Sequence, residues 1–350
     1  MPVSFRNVTK RFADGTTALD ALDLEFDLGE FIVLLGPSGS GKTTACRLLA
    51  GLETPTGGRI EVDGKDITNL PPRLRGIGMV FQNYALYSHK SVYENIAYPL
   101  RIRKTAAAEI DLRVKEMAEL LQIGSYLHRK PAQLSGGQAQ RVAVARALVW
   151  QPMICLMDEP LSNLDALLRL HMRTELKRLH RDLQKTFVFV THDQEEAMTL
   201  ATRIAVLKDG KLMQFDTPQA IYRQPANRFV AEFMGRPAMN TIDGVVENGV
   251  FRSGNIVLPV ARPEGPVTLG IRPEQIEVVD SGGDDVVTLP LDVKESIEPD
   301  TLLIFQNLEK AFTVRIHGDA RKYSDGAPIH IRLPKEALHF FDHNTGERLK

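Results

Sequence analysis

The stretch that decides the fold is Gly36-Pro37-Ser38-Gly39-Ser40-Gly41-Lys42-Thr43. It matches the pattern G-x-x-x-x-G-K-[ST] in full, with the apolar run 31–35 before it and a helix-like segment after it. A strand, a glycine-rich turn and a helix in this order direct backbone N–H groups and a helix N-terminus at phosphate oxygens. We therefore predict a site for a nucleoside triphosphate, in which Lys42 reaches the β- and γ-phosphates and Thr43 binds Mg²⁺.

Further apolar runs predict the sheet to which this loop belongs. They cover 153–157, 187–190 and 204–207, and helix-like patterns separate them. Continuous apolar strands alternating with helices indicate a parallel sheet covered on both faces. One of the helical patterns is an apolar stripe, and its members are Leu168, Met172, Leu176, Leu179 and Leu183. The spacing is that of one helix face, so we expect an α/β fold.

An acidic pair, Asp158-Glu159, directly follows the run 153–157. An aspartate at a strand end beside a phosphate loop can hold Mg²⁺, directly or through water. A second carboxylate next to it can accept a proton from an attacking water or orient that water. Alone, such a pair is typical of protein surfaces. The strand before it and the phosphate loop in the same chain favour the chemical role.

A second glycine-rich segment, Leu134-Ser135-Gly136-Gly137-Gln138, opens another helix, which we predict over 140–148. Glycines at a helix N-terminus make a second candidate anion site, for the same physical reasons as the first. One chain with two such helix starts suggests two molecules that share nucleotides across an interface.

With this segment the chain resembles the ATP-binding cassette (ABC) ATPases, and more narrowly the ATPase subunit of bacterial carbohydrate-type (MalK-like) ABC importers. The family's motifs all occur within 3–235, and the remainder is similar more loosely, as in Gly270-Ile-Arg-Pro-Glu274. The resemblance implies a P-loop NTPase cassette with a helical subdomain over 1–235. It implies a small all-β, OB-like (TOBE) domain over 236–350, with a dimerising and regulatory role.

The resemblance also implies site residues. Those for the nucleotide are Phe12, which would stack on adenine, and Gly36, Pro37, Ser38, Gly39, Ser40, Gly41, Lys42, Thr43, Thr44, Ser135, Gly136, Gly137, Gln138 and Asp165. The implied metal-binding residues are Thr43, Gln82 and Asp158, and the implied catalytic residues are Glu159, His192, Gln82 and Lys42. In the family, the segment 135–138 contacts the γ-phosphate held by the opposite subunit, and 162–165 crosses the dimer interface.

The implied cofactors are ATP and Mg²⁺. The implied activity is ATP hydrolysis that energises import of a solute, a sugar or a related compound such as glycerol phosphate. The implied partners are a second copy of the chain, two transmembrane permease subunits and, indirectly, an extracytoplasmic solute-binding protein. The chain would then lie peripherally at the cytoplasmic face of the cell (inner) membrane. Two alternatives stay open: an importer ATPase for a polyamine, metal or inorganic anion, and a soluble ABC ATPase without a transport role.

The composition of the chain further limits the classes of protein to which it can belong. The chain has 350 residues, with 43 Lys and Arg against 44 Asp and Glu and a formal net charge of −1. This balance argues against nucleic acid as the main partner. No apolar run approaches the length of a membrane span, and we expect no secretory signal. Cys46 and Cys155 are expected to be reduced core thiols.

The stretch after Gln82 contains Tyr84, Tyr87, Tyr93 and Tyr98. In the resembled family this stretch contacts the membrane partner. Exposed aromatic side chains here would suit such an interface, and burial within the helical subdomain is the alternative.

Overall fold

The computed structural model describes residues 2–254, 256–262, 264–281, 283, 285–306, 311–318 and 321–349. It divides into two compact units, Met1–Pro218 and Gln219–Lys350. The change of sequence texture that predicts a domain boundary lies near 235. The division by packing lies earlier, so that two short helices between 218 and 235 are grouped with the second unit.

The first unit alternates strands and helices. Its strands are β1 (Pro2–Arg11), β2 (Thr17–Asp27), β3 (Phe31–Leu35), β4 (Gly57–Val62), β5 (Lys65–Asp66), β6 (Ile77–Val80), β7 (Ile154–Asp158), β8 (Thr186–Thr191), β9 (Arg203–Lys208) and β10 (Lys211–Asp216). Its helices are α1 (Lys42–Ala50), α2 (Val92–Ile102), α3 (Ala107–Leu120), α4 (Gly136–Leu148), α5 (Ala166–Leu183) and α6 (Gln194–Leu200).

The larger sheet of this unit has six strands in the order β10-β9-β3-β8-β7-β6. Strand β3 pairs in parallel with β8 and β9, and β7 pairs in parallel with β8 and β6. Only its edge strand β10 joins antiparallel, to β9. All five residues of β3 are buried, as expected for a central strand covered on both faces. The predicted α/β fold is confirmed.

Helices α4 and α5 follow from their sequences. On α5, Met172, Leu176 and Leu179 of the predicted stripe are buried. Helix α4 begins at Gly136, earlier than the predicted 140, because Ser135 caps it. The Ser135 hydroxyl accepts a hydrogen bond from the backbone N–H of Gln138 at 3.4 Å, and the Gln138 side chain accepts one from the N–H of Ser135 at 3.0 Å. This reciprocal capping box stabilises the first turn.

A second, antiparallel sheet of the first unit has the order β2-β1-β4-β5, and the sequence did not predict it. On β2, buried Leu22, Leu24 and Phe26 alternate with exposed residues, which is a strand with one covered face. Ala21 has a φ of +51°, and this irregularity interrupts the alternation near the middle of the strand. The covered face shares one hydrophobic core with β3 and α1.

The second unit begins with α7 (Pro218–Arg223) and α8 (Arg228–Phe233). Its strands are β11 (Asn240–Glu247), β12 (Val250–Ser253), β13 (Ile256–Pro259), β14 (Gly265–Ile271), β15 (Glu277–Val279), β16 (Val286–Pro290), β17 (Val293–Ile297), β18 (Asp300–Phe305), β19 (Phe312–His317), β20 (Pro328–Arg332), β21 (His339–Asp342) and β22 (Arg348–Leu349).

These strands form antiparallel sheets in the orders β13-β12-β11-β14-β21-β22, β15-β20-β16 and β17-β18-β19. Side chains from all three sheets, among them Phe251, Leu269, Leu303 and Ile331, meet in one hydrophobic core. Burying each such side chain contributes roughly 1.5–3 kcal/mol. The all-β character predicted for this part of the chain is confirmed.

The tyrosines predicted at a partner interface and the predicted lack of a membrane span can both be compared with the structure. Tyr84, Tyr87, Tyr93 and Tyr98 are each half-buried, and the rings of Tyr87 and Tyr98 pack with centroids 4.8 Å apart. These aromatic side chains therefore belong in part to the helical packing. Over the residues that the structure describes, no helix is long and apolar enough to cross a membrane.

Candidate functional site

The topology of the parallel sheet gathers the predicted residues at one edge. The phosphate loop 36–43 follows β3, and His192 follows β8. Asp158 ends β7, and Gln82 lies just beyond the end of β6. These four strands are consecutive neighbours in the sheet, in the order β3-β8-β7-β6. Because carboxyl ends of parallel strands share one edge, they form a single candidate site there.

Two glycines of the phosphate loop are required by close backbone approach. A Cβ atom on Gly36 would lie 2.2 Å from the carbonyl oxygen of Leu207, and one on Gly41 would lie 2.4 Å from that of Ala18. Both residues have positive φ, +159° and +97°. Any side chain there would displace the loop, so glycine is needed for the wrapped backbone that cradles phosphate.

Lys42 is the buried cation of this loop, with 5% of its surface exposed. Its ammonium group donates hydrogen bonds to the carbonyl oxygens of Gly36 and Pro37, both at 2.8 Å. Burial lowers the pKa of Lys42, and the negative charges of Glu159 and Asp158 oppose that shift. The ammonium is thus held inside the turn by backbone carbonyls and faces carboxylates, as suits a group that binds phosphate.

Thr43 and Asp158 are brought together across the site. The Thr43 hydroxyl donates to Asp158 Oδ1 at 2.9 Å. Burial raises the pKa of Asp158, and the Thr43 hydrogen bond opposes that shift. Hydroxyl and carboxylate oxygens are hard donors that Mg²⁺ prefers, and Mg²⁺ completes its shell with water and substrate phosphates. The pair fits this ion.

Glu159 occupies a backbone conformation that is rare for its residue type, with φ +43°. Its N–H donates to the Val190 carbonyl of the neighbouring strand at 3.1 Å. The Ser162 hydroxyl donates to the Glu159 carbonyl at 2.9 Å. A non-glycine residue held at positive φ by its surroundings is typical of functional sites. The constraint turns the Glu159 side chain toward the neighbouring loops.

His192 and Gln82 both approach the Glu159 carboxylate. His192 Nδ1 lies 3.4 Å from Glu159 Oε1, and Gln82 Nε2 lies 3.5 Å from Glu159 Oε2 and from Ser162 Oγ. The predicted catalytic side chains Glu159, His192 and Gln82 therefore converge. Of the three residues predicted for the metal, Thr43 and Asp158 are in direct contact, whereas the contacts of Gln82 are with Glu159 and Ser162.

The glycine-rich segment 135–138, the second candidate anion site, lies outside this group of converging side chains. Ser135 and Gly136 are exposed, and Gly137 is buried against Leu168. Within the part of the chain that the structure describes, the hydrogen bonds of the Ser135 and Gln138 side chains stay inside the capping box. The Ser135 hydroxyl hydrogen remains available to donate outward. The segment presents a capped helix N-terminus at the surface, apart from the hydrogen-bonded network around Lys42.

Two other predicted nucleotide residues lie at loop positions. Phe12 follows β1 in the β1–β2 turn, with 38% of its surface exposed and the Lys10 ammonium 5.1 Å from the ring centroid. The same hairpin places Ala18 against Gly41, so the aromatic ring belongs to a hairpin beside the phosphate loop. Asp165 caps α5, where its carboxylate accepts from the N–H of Leu168 at 2.9 Å.

Some residues that organise the site escaped sequence reasoning. The Asn163 side-chain amide donates to the Gln82 carbonyl at 3.2 Å. Arg169 lies within 4 Å of Asp193 and Glu196, and Thr191 donates to Glu196. Asn163 lies inside the predicted segment 162–165, but its bond joins residues far apart in the chain. No local sequence pattern predicts contacts between residues so far apart in the chain.

Comparison with known families follows the two units. The model of the family described as "ABC transporter" matches residues 19–162. The model described as "MalK OB fold domain" matches residues 235–276.

Individual relatives extend the likeness over the whole chain. The diacetylchitobiose uptake system ATP-binding protein MsiK of Streptomyces coelicolor is 44% identical, covering 99% of this chain and 99% of its own. The sn-glycerol-3-phosphate import ATP-binding protein UgpC of Salmonella typhi is 46% identical, covering 98% of each chain. Among solved structures, the ATP-binding cassette MJ0796, described as a dimer in a post-hydrolysis state bound to ADP and Pi, is 35% identical, with a TM-score of 0.56. It covers 62% of this chain and 98% of that one.

Proposed function

The chain belongs to the ABC transporter family as an ATP-hydrolysing subunit, and on this premise we propose that two copies of it hydrolyse ATP between them to import a carbohydrate-type solute. One observation carries the proposal. Lys42, Thr43, Asp158, Glu159, Gln82 and His192 lie together at one edge of the parallel sheet. They supply the cation, the metal-binding oxygens, the base and the polar groups that phosphoryl transfer to water requires.

Bound at Thr43 and Asp158, Mg²⁺ would neutralise charge on the phosphate oxygens. The chain's own residues do the rest. The loop N–H groups and Lys42 bind the β- and γ-phosphates and stabilise the charge that develops on the transferred group. Phe12 stacks on the adenine ring, and Thr44 lies next to Thr43 at the start of α1.

Glu159 acts as the base. Its carboxylate orients the attacking water and accepts its proton. His192, 3.4 Å away, holds that carboxylate and contacts the γ-phosphate, and Gln82, 3.5 Å away, completes the polar wall around the water. The strained backbone of Glu159 keeps the carboxylate in place without the reorganisation that a mobile side chain would need.

The second anion site explains why two copies are needed. The exposed N-terminus of α4, with Ser135 and Gly136 at the surface, is free to meet a γ-phosphate bound by a partner copy. Hydrogen bonds from Ser135 and from the N–H groups of the helix start would then close the site. Segment 162–165 would lie at the same interface. The closed state is favoured only while the γ-phosphate is present, so hydrolysis reopens it.

The relatives support a proposal for the cargo and the partners. MsiK is named for diacetylchitobiose uptake and UgpC for sn-glycerol-3-phosphate import, which supports a sugar or sugar-related solute. Two permease subunits would supply the membrane path, and a solute-binding protein outside would deliver the cargo. The chain would dock on the permeases from the cytoplasmic face of the membrane. We assign 1–235 to the nucleotide-binding domain and 236–350 to an OB-like regulatory and dimerisation domain.

A substitution at Glu159 tests the catalytic proposal. Glu159→Gln removes the base but keeps the shape of the side chain, so ATP turnover should fall by at least about a hundredfold while ATP stays bound in a dimer. Radioactive phosphate release and size-exclusion chromatography with ATP measure both quantities. Glu109→Gln, at a surface glutamate paired with Arg113, is the matched control and should keep wild-type turnover. Wild-type turnover in Glu159→Gln would contradict the assignment of the base.

The cargo needs its own experiment. The chain, reconstituted in vesicles with its permeases and solute-binding protein, should show ATP turnover that rises with a carbohydrate or a sugar phosphate. Stimulation by a polyamine, a metal ion or an inorganic anion instead would replace the proposed cargo and leave the ATPase proposal intact.

A further inference from the structure

Arg169, on the first turns of α5, touches two loops of the candidate site. Its Nη2 donates to the Leu164 carbonyl at 3.1 Å, inside segment 162–165. Its Nη1 lies 3.6 Å from Asp193 Oδ2 and its Nε lies 3.8 Å from Glu196 Oε1, beyond His192. One guanidinium therefore joins the segment after Glu159 to the segment after β8. Its planar fork of donors suits such a bridge.

The residues on both sides of His192 are fixed through this bridge. On one side, the Thr191 hydroxyl donates to Glu196 Oε2 at 2.5 Å. On the other, Asp193 donates its N–H to Thr191 Oγ1 at 3.0 Å, and its carboxylate caps α6 by accepting from the N–H of Glu195 at 2.8 Å. The His192 side chain itself is largely exposed, at 60%. Its position is set by the backbone on either side of it.

Because the Glu196 side chain is buried, its charge depends on its hydrogen-bond and ion-pair partners. The Glu196 side chain is 5% exposed, and the Arg169 side chain is 32% exposed. Burial raises the pKa of Glu196, and Arg169 and the Thr191 hydrogen bond act in the opposite direction. A carboxylate in such surroundings needs its partners, and removing one leaves a buried charge uncompensated.

We propose that Arg169 is a positioning residue for ATP hydrolysis, which holds His192 beside Glu159 by bridging segment 162–165 to Asp193 and Glu196. The inference rests on the proposed role of His192. If segment 162–165 moves when a second copy docks, the bridge carries that movement to His192, so the same contact links dimer closure to the catalytic side chains.

The next arginine along the same helix provides the matched control. Arg173 Nη1 pairs with Glu195 Oε2 at 3.2 Å, and the Glu195 side chain is 64% exposed. This pair also joins α5 to α6, but it does not reach segment 162–165 or the residues flanking His192. Both arginines lower the pKa of Glu196, and a general weakening of the α5–α6 contact would follow from changing either one. Arg169 differs in its contacts with segment 162–165 and Asp193, so loss of the bridge between these two loops would follow only from Arg169.

The test is a double-mutant cycle on the full chain. Arg169→Met should lower single-turnover ATP hydrolysis about tenfold with ATP affinity unchanged, since misplacing a catalytic group affects turnover more than binding. Arg169→Lys should restore part of the rate, and Arg173→Met should stay within about twofold of wild type. In a His192→Ala background, Arg169→Met should cause no further loss, because both changes remove the same contribution.

Thr191→Val provides a second route if Arg169→Met folds poorly. It removes the hydroxyl that bonds to Glu196 and should also lower hydrolysis only while His192 is present. Equal losses in the presence and absence of His192, or full activity of both variants, would overturn the inference. If His192→Ala alone keeps wild-type hydrolysis, the proposed role of His192 is wrong, and that outcome is distinguishable because it needs no change at Arg169.

Discussion

Lys42 in the first unit and Arg272 in the second are both buried cations that donate to backbone carbonyls, and the two differ in purpose. In the first unit, Lys42 is 5% exposed and donates to carbonyls within its own loop. In the second unit, Arg272 is 2% exposed. Its guanidinium donates to the carbonyls of Ala231 and Met234 and, at 2.9 Å, to that of Tyr222. It also lies 4.2 Å from the centroid of the Tyr222 ring.

The surroundings of the two cations show what each is for. Lys42 faces two carboxylates that oppose the effect of its burial, and its loop is shaped by glycines at a sheet edge. Arg272 is enclosed by carbonyls of the α7 and α8 region and by an aromatic face. Burial lowers the pKa of both groups. A buried cation beside glycine and carboxylates indicates chemistry, while one held by several fixed carbonyls indicates architecture.

The largest expected effect separates these purposes. Lys42→Ala should lower ATP turnover by at least about a hundredfold, because the charge on the transferred phosphate loses its main protein cation. The melting temperature should change little, since the carbonyls of Gly36 and Pro37 can turn to water. Phosphate release and calorimetry measure the two effects. Lys115→Ala, at an exposed lysine paired with Asp111, is the control. A variant that unfolds would contradict the chemical reading of Lys42.

Arg272→Met should have the opposite profile. Methionine keeps the apolar volume of the side chain but leaves the buried carbonyls of Ala231, Met234 and Tyr222 without their hydrogen-bond donor. The free energy of unfolding of the second unit should therefore fall by roughly 3 kcal/mol. Hydrogen exchange, resolved by unit, should show faster exchange in the second unit and wild-type exchange in the first. Arg332→Met, at an exposed arginine paired with Glu277, should change little. Wild-type hydrogen exchange in the second unit of Arg272→Met would contradict a structural role for Arg272.

A smaller effect depends on pH. His339 is 9% exposed, and burial, with Arg348 and Arg272 nearby, lowers its pKa to about 4. Between that value and its usual pKa near 6.5, the unfolded chain binds the proton more readily, so stability falls as pH falls. The loss at pH 5 should be about 1–2 kcal/mol relative to pH 7. Urea unfolding of His339→Gln should show a flatter profile. A variant whose stability falls with pH as steeply as that of the wild type would contradict this role of His339.

The smallest effect is an expected lack of change in thiol reactivity. Cys46 and Cys155 are buried free thiols, and burial raises the pKa of Cys155 to about 12. Because the chain has 2 cysteines and both lie in the first unit, iodoacetamide reports on that unit alone. Labelling should stay slow in the wild type and in Arg272→Met. Fast labelling of the Arg272 variant would show that the two cation sites are not independent.

The residues of the candidate site were easier to predict from the sequence than the parts of the fold around them. Strand 31–35 and the phosphate loop are contiguous in sequence, and the acidic pair directly follows its own apolar run 153–157. The parallel sheet brings these two local motifs together. The antiparallel sheet of β1, β2, β4 and β5 was missed because Ala21 interrupts the alternation on β2. Gly270-Ile-Arg-Pro-Glu274 supports only a resemblance at the level of sequence, and its arginine is a buried cation of the second unit.

Contacts between distant parts of the chain lay beyond sequence reasoning. The positive φ of Glu159 depends on its bonds to Val190 and Ser162. The bridge from Arg169 to Glu196 spans two helices that only the folded chain brings together. The sequence around such residues is that of an ordinary helix or acidic surface. Their roles can be recognised only from the distances between side chains in the folded chain.

The central claim is that the phosphate loop of one copy and the segment 135–138 of another complete a single ATP site. Lys42→Ala breaks the first half and Ser135→Arg breaks the second, so each variant alone should fail to hydrolyse ATP, although Ser135→Arg should still bind it. Mixing the two purified variants forms dimers with one intact site. Single-turnover hydrolysis should then reappear, at up to about a quarter of the wild-type rate if the sites act independently. No recovery at any mixing ratio would contradict the account.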